Sequence, residues 1–423
     1  MAMIIEVCCV GKPWGKSRED LYSVGVCGWP DLAEAGDPLC YHNNERGAGD
    51  SMTFVIKPFT DDLIPAVKDL NSRLTASGAP PEFRFFEHPV SKHLPKISGR
   101  KIYEEYFVVF QDGVARGGYA FKHQYFSING QIRSVGLQHW TISEGMIDKA
   151  YSAVALQMLR YVLREQPLMY ALGMGGYDGG PLPRILEALG WSLRPIPFRF
   201  KVHHPQRFFK EIRAIRQNVR QKMLMDLAVL TGAGGLTLRL LQGVKAKRAA
   251  PDVRAVLVQG FSQWADGLWE QCKEQYAMIA VRDSETLNIL YPADSKRFLC
   301  YKVTRGDAII GWFVLLDTPM HNNKHFGNLR VGSIVDCLAL PEDASAVIGA
   351  ATGVLEKRKV DLIVSNQSHA AWSTALGNAG FLPGSSNFLF AASKDLAELL
   401  RPFEVQVSRS HFTRGDGDGP LHL

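Results

Sequence analysis

The chain has 423 residues, 46% hydrophobic and 21% charged, with a formal net charge of +6. That length exceeds one core and calls for two domains of ordinary size, and the composition excludes a disordered chain. The charge is too weak to argue for nucleic acid, and no apolar run reaches the ~18 residues of a membrane span. Seven cysteines, odd in number and without a CxxC pair, fit reduced thiols in a cytoplasmic protein rather than a disulfide framework or a zinc site.

Residues 1–51 hold four of the seven cysteines and many Gly, Pro and Asp, with no sustained period. Glu6 interrupts the apolar start and no basic run precedes it, so a signal peptide is not expected. The segment reads as an N-terminal extension, either without fixed structure or lying upstream of a natural start at Met52. From residue 52 the pattern is mixed α and β. A strand at 54–59 precedes a helix over 61–74, with Leu63, Val67, Leu70 and Leu74 at helical spacing. Strands at 103–111 and 115–125 flank the turn Asp112-Gly113, and 131–141 extends the pair. A long helix over 149–165 stops at Pro167, and a short buried strand follows at 168–174. The glycine-rich turn 175–181 leads to a helix over 183–189, closed by Gly190, and then to a final strand region at 191–202.

The second half repeats this order. Helix 261–275, the hairpin 297–305 and 308–316, strand 329–338, helix 344–357, strand 360–365 and helix 370–376 follow one another. The endings also match, Leu186-Glu187-Ala188-Leu189-Gly190-Trp191 against Leu376-Gly377-Asn378-Ala379-Gly380-Phe381. A period of roughly 150 residues marks a duplicated domain, not a solenoid. Between the halves, Arg207, Lys210, Arg213, Arg216 and Arg220 form one basic helical face over 207–222. The expected layout is an extension (1–51), a first domain (52–205), a basic and apolar helical linker (206–250), a second domain (251–402) and a Gly/Asp-rich tail (403–423).

This order, with its Gly-Trp and Gly-Phe endings, resembles the GNAT superfamily of acyl-CoA N-acyltransferases, and the pairing resembles the double-GNAT architecture of Fem-type aminoacyltransferases. The resemblance covers about 52–202 and 251–394. It implies two GNAT-like α/β (α+β) domains, each a mixed, mostly antiparallel sheet flanked by helices. It also implies an acetyl-CoA or other acyl-CoA substrate, held by backbone N–H groups where a bulged strand and a loop feed a long helix. The family's Arg/Gln-x-x-Gly-x-Gly/Ala pattern is altered in both halves. The first has Ile147-Asp148-Lys149-Ala150-Tyr151-Ser152, and the second Glu342-Asp343-Ala344-Ser345-Ala346-Val347. Lys149, Ala150 and Ser152 remain the candidates for holding cofactor, with Asn366 at the corresponding strand end of the second half. The family's acidic Tyr is replaced by Leu186 and Leu376.

Three residues are candidates for general base or acid: Glu144 after the central strand, His139 on it, and Asp336 on the equivalent strand of the second half. Each also has a plain reading, as a turn residue, a core histidine and a paired buried acid. Tyr177 and Asp178, at the tip of the glycine-rich turn, are candidates for substrate contact. The tail 410–420 reads either as a mobile end or as a segment folding back into a cleft, where His411, Arg414 and Asp416 would meet substrate or phosphate. It lacks a full calcium loop, and no metal is expected. The leading expectation is an N-acyltransferase acting on a small-molecule amine, such as an amino-sugar or amino-acid precursor of the cell envelope. The alternatives are an inactive tandem binding module and an aminoacyl-tRNA-dependent transferase whose basic helix contacts RNA. The same helix would also suit an anionic membrane surface, making the protein peripheral to the inner face of the membrane.

Overall fold

The computed structural model describes residues 54–173, 181–213, 233–243, 252–323, 325–386 and 388–417. The readings of 1–51, of Tyr177 and Asp178, of most of the basic helix and of the chain end beyond 417 fall outside the described residues.

The first half runs β1 (Phe54–Pro58), α1 (Ile64–Ala76), β2 (Ile102–Gln111), β3 (Val114–Ile128), β4 (Gln131–Ser143), α2 (Ala153–Glu165), β5 (Tyr170–Gly173), α3 (Pro181–Ala188), β6 (Ser192–Pro195) and β7 (Phe198–Val202). Two helices follow, α4 (Pro205–Glu211) and α5 (Ala233–Gly243). The second half runs β8 (Val253–Leu257), α6 (Gln263–Cys272), β9 (Met278–Ala280), α7 (Ser284–Leu290), β10 (Leu299–Arg305), β11 (Ala308–Pro319), β12 (Arg330–Ala339), α8 (Ala344–Lys357), β13 (Leu362–Asn366), α9 (Ala370–Asn378), β14 (Leu382–Gly384) and β15 (Leu389–Ala392). It closes with α10 (Lys394–Leu399) and α11 (Phe403–Ser408).

Local chemistry explains the elements. The β2–β3 hairpin turns on Asp112 (φ 52) and Gly113 (φ 78), the left-handed pair that a tight hairpin requires. Helix α2 buries Val154, Ala155, Met158, Leu159 and Val162, a stripe at helical spacing, against Val109, Tyr119 and Phe121 of the sheet. Helix α4 stops at Glu211 because Ile212 turns extended (ψ 111), so the basic face expected over 207–222 is broken there.

The sheets show a reciprocal exchange between the halves. The first has the antiparallel order β1-β2-β3-β4, and β5-β15-β6 continues it through a bridge from Gly136 to Met169. The second has the order β14-β7-β13-β12-β11-β10-β8. Thus β7, from the end of the first half, lies between β13 and β14, and β15, from the second half, lies between β5 and β6. The sequence reads 191–202 as one strand region of the first domain. The structure divides it at Pro195-Ile196-Pro197, where two prolines lack the N–H needed to continue a ladder. Phe200 and Val202 then pack with Phe208, Phe209 and Leu238 of the connecting helices and with Val364 of β13. A further strand, β9, pairs with Phe126–Ile128 of β3 and ties the halves again.

The tail is part of the core through Asp416. Ser410, His411, Phe412 and Thr413 are fully buried. The His411 N–H donates to Met278 O at 2.8 Å, and Phe412 N–H to Ser368 Oγ at 2.7 Å.

Candidate active site

The two central strands, β4 and β12, each carry a bulge. On β4 the register with β3 slips between the pairs Gly118↔Ile142 and Ala120↔His139, leaving an extra residue at Trp140–Thr141. Trp140 sits at φ 49, a strained conformation for a bulky residue. On β12 the slip falls at Val335, between the pairs Val314↔Asp336 and Leu315↔Ile334. His139 therefore borders one bulge and Asp336 the other.

Around the first bulge, strand pairing assembles a polar row. Glu104 of β2 lies directly across from Lys122 of β3. His139 Nε2 is 3.3 Å from Glu104 Oε1, and Ser91 Oγ donates to Glu104 Oε2 at 3.0 Å. Burial pushes the Glu104 carboxyl up, but His139, Lys122 and Ser91 outweigh it and hold Glu104 below its usual range. His139 thus faces the Glu104 carboxylate from the bulged strand, with both ring nitrogens closed off from solvent. Trp140 packs edge-on to Phe86 (5.8 Å), and Phe86 stacks on Tyr106 (4.4 Å), so aromatic surface flanks the row.

The second bulge is plugged. Asp336, 1% exposed, accepts from Arg282 Nη2 (3.0 Å), Thr413 Oγ1 (2.9 Å), Tyr291 Oη (2.9 Å) and the Cys337 N–H (2.9 Å). Arg282 also pairs with Asp416 (2.9 Å). Burial works to lower the Arg282 guanidinium, and the two carboxylates outweigh it and raise it. With two acids facing one cation, burial pushes Asp416 above its usual range, against the pull of Arg282. The Asp416 carbonyl in turn accepts from Lys122 Nζ (2.7 Å) and Tyr170 Oη (2.8 Å) of the first half. A chain of polar contacts thus joins the two bulges through the tail. Gly415 makes this closure: a Cβ there would stand 2.3 Å from Tyr291 Oη.

The other sequence candidates lie elsewhere. Glu144 is buried between Arg73 (2.7 Å) and Arg116 (2.8 Å). Burial raises its carboxyl, and both arginines overcome this and hold it below the usual range, which makes it a poor base. His411 stacks between Tyr276 and Trp372, and its Nε2 donates to Cys337 O (2.8 Å). Burial pushes this imidazole well below its usual range, so His411 faces core rather than a cleft. Asn366 is buried at the end of β13 with its Nδ2 unpartnered. Lys149 and Ala150 are exposed, on a short turn that Asp148 caps by accepting from the Ala150 N–H (2.9 Å), and Ser152 follows. The first turn of α2 has no side-chain cap, and its positive dipole end follows directly on the 149–151 turn. Gly145 lets this loop fold on itself, since a Cβ would meet Tyr151 O at 2.6 Å. The equivalent turn before α8 carries acids, and Asp343 is paired with Arg305 (2.8 Å).

The sequence reading missed Glu104, Lys122, Arg282 and Tyr170. Glu104 and Lys122 were findable: each is a charge inside a strand rich in aromatic and apolar residues, and such a group, when buried, must be paired or functional. Arg282 carries no such local signal.

No protein-family model matches the chain, and no curated protein sequence matches it. Among solved structures, it is similar to a GCN5-related N-acetyltransferase from Anabaena variabilis, with 10% identity and a TM-score of 0.48 over 82% of this chain and 74% of that one. It is also similar to a probable N-acyltransferase from Enterococcus faecalis (11%, TM-score 0.45, 83% and 74% covered) and to Saccharomyces cerevisiae N-myristoyltransferase (11%, TM-score 0.44, 82% and 80% covered). At this identity and these TM-scores the likeness carries no argument about the activity of this chain. Both halves carry a mixed sheet with a bulged central strand, and the last strands are exchanged between them.

Proposed function

We propose that the protein is an acyl-CoA-dependent N-acyltransferase whose reaction centre is the first half. The observation that carries this reading is His139, 3.3 Å from the Glu104 carboxylate and set beside the strained bulge at Trp140. An amine would attack the thioester carbonyl, forming the amide bond and releasing the CoA thiol. His139 would take the proton from the attacking amine, and backbone N–H groups at the bulge would stabilise the oxyanion. Lys149, Ala150 and Ser152, with the first turn of α2, would hold the pyrophosphate. Leu186 offers no acid to the leaving thiolate, so the thiol would take its proton from water. The second half would act as scaffold, because its equivalent position is filled by Asp336, Arg282 and the tail. A thiol-release assay with acetyl-CoA and longer acyl-CoAs, run over a panel of amines, tests this. Turnover lost in H139A supports it, and no turnover with any pair removes it.

A second feature favours an anionic membrane as the setting. Residues 206–250 carry ten Lys and Arg against two acids, a net +8 in a chain whose total is +6. On α5, Leu236 (62%) and Leu240 (60%) are exposed beside Arg239. Two exposed leucines beside cations suit lipid better than RNA. Sedimentation with vesicles containing phosphatidylglycerol tests this reading. Binding should be salt-sensitive and weaker in L236D/L240D, and equal binding to neutral vesicles would oppose it.

A further inference from the structure

Arg414 stands apart from the other buried and half-buried cations near the two bulges. Arg282, Lys122, Arg73 and Arg116 each meet an oxygen partner. Arg414 joins none of the ion pairs among the described residues, and its Nε is sealed from solvent without a hydrogen-bond partner. Its position is fixed: it opens the turn Arg414–Asp416, closed by a capping box in which Thr413 and Asp416 bond each other's backbone. The same turn is held to the first half through the Asp416 carbonyl, on Lys122 and Tyr170. Arg414 therefore sits two residues from the contact with Lys122, the cation in line with Glu104 and His139.

We infer that Arg414 binds an oxyanion, carboxylate or phosphate, carried by the acyl acceptor, so that the acceptor is an amine bearing a negative charge rather than a neutral amino sugar. This rests on the transferase reading above. The Arg414 side chain is half-buried with its Nε sealed and unpartnered, and a ligand oxyanion would complete the donor set that the protein leaves open. Burial pushes the group down to about 10, as expected where no acid offsets it. The planar fork matches carboxylate and phosphate in two-point contact, which gives orientation as well as affinity.

Three measurements on the full chain test the inference. In anion-free buffer, R414M should melt at or above the wild-type temperature, because it removes an uncompensated charge. A lower Tm would mark Arg414 as a structural cation and overturn the proposal. Calorimetric titration with glutarate and with inorganic phosphate should show saturable binding of one of them, lost in R414M and weakened about tenfold in R414K. The ligand that binds tells carboxylate from phosphate, and no binding of either to wild type overturns the proposal. In the transfer assay, amino acids should outperform their neutral amides, and R414M should raise KM for the charged acceptor only. Equal effects on both would overturn it. If no acyl-CoA is turned over and anion binding still depends on Arg414, the anion site stands and the transferase reading falls.

Discussion

His139 and Glu104 make separable predictions. H139A should lower kcat/KM about 10²–10⁴-fold in the thiol-release assay, the usual range for a positioned general base. E104Q keeps the shape and should cost less, chiefly in kcat, since it leaves the imidazole in place but weakly oriented. Wild-type turnover in H139A would take His139 out of the chemistry. Glu144 should behave differently. E144Q leaves Arg73 and Arg116 short of a partner and should cost about 1–3 kcal/mol in denaturant unfolding, discounted because both arginines are partly exposed. The buried imidazoles set a pH dependence. Burial lowers His369 to about 4, and His411 lies well below its usual range. Unfolded histidines bind a proton below about 6.5. Between about 4 and 6.5 the unfolded chain therefore holds more protons, and stability rises with pH. His369 caps α9 by accepting from the Ala371 N–H, a role Asn can fill. H369N should keep the fold and flatten this slope, as read by urea midpoints across that range. An unchanged slope would exclude His369 as its source.

The tail and the two bulges decide the account at the level of elements. Breaking the Arg282 cluster leaves buried carboxylates without a cation, so R282M should destabilise by about 3–5 kcal/mol. G415A should do so too, because its methyl would collide with Tyr291. Either variant unfolding at the wild-type denaturant midpoint would show the tail to be peripheral. Helices and hairpins were legible from sequence because periodicity and turn residues are local. The Asp112-Gly113 hairpin and the stripe of α2 are examples. The bulge at Trp140 was not legible, since no glycine or proline marks it and only register reveals it. The tail was ambiguous for a related reason. Gly415 and Asp416 read as solvated until Tyr291, Arg282 and Asp336, distant in sequence, are brought against them.

Over the whole molecule, the exchange of β7 and β15 makes the halves interdependent. The repeated order of elements was visible in the sequence. The exchange was not, because a strand's own sequence does not say which sheet receives it. Without β15 the first half would expose Leu389's and Phe390's partners, each buried side chain being worth about 1.5–3 kcal/mol. Residues 52–205 and 251–423 should each fail to unfold cooperatively alone and should associate when co-expressed. A cooperative melt for either one alone would contradict the exchange. The central claim, acyl-CoA held by the first half, is tested most directly by calorimetry of the full chain with acetyl-CoA and longer acyl-CoAs. The account predicts one equivalent bound, weakened at least about tenfold by S152D, which sets a carboxylate at the start of α2, and unaffected by S345D at the start of α8. Binding of no acyl-CoA, or binding sensitive to S345D and indifferent to S152D, would contradict it.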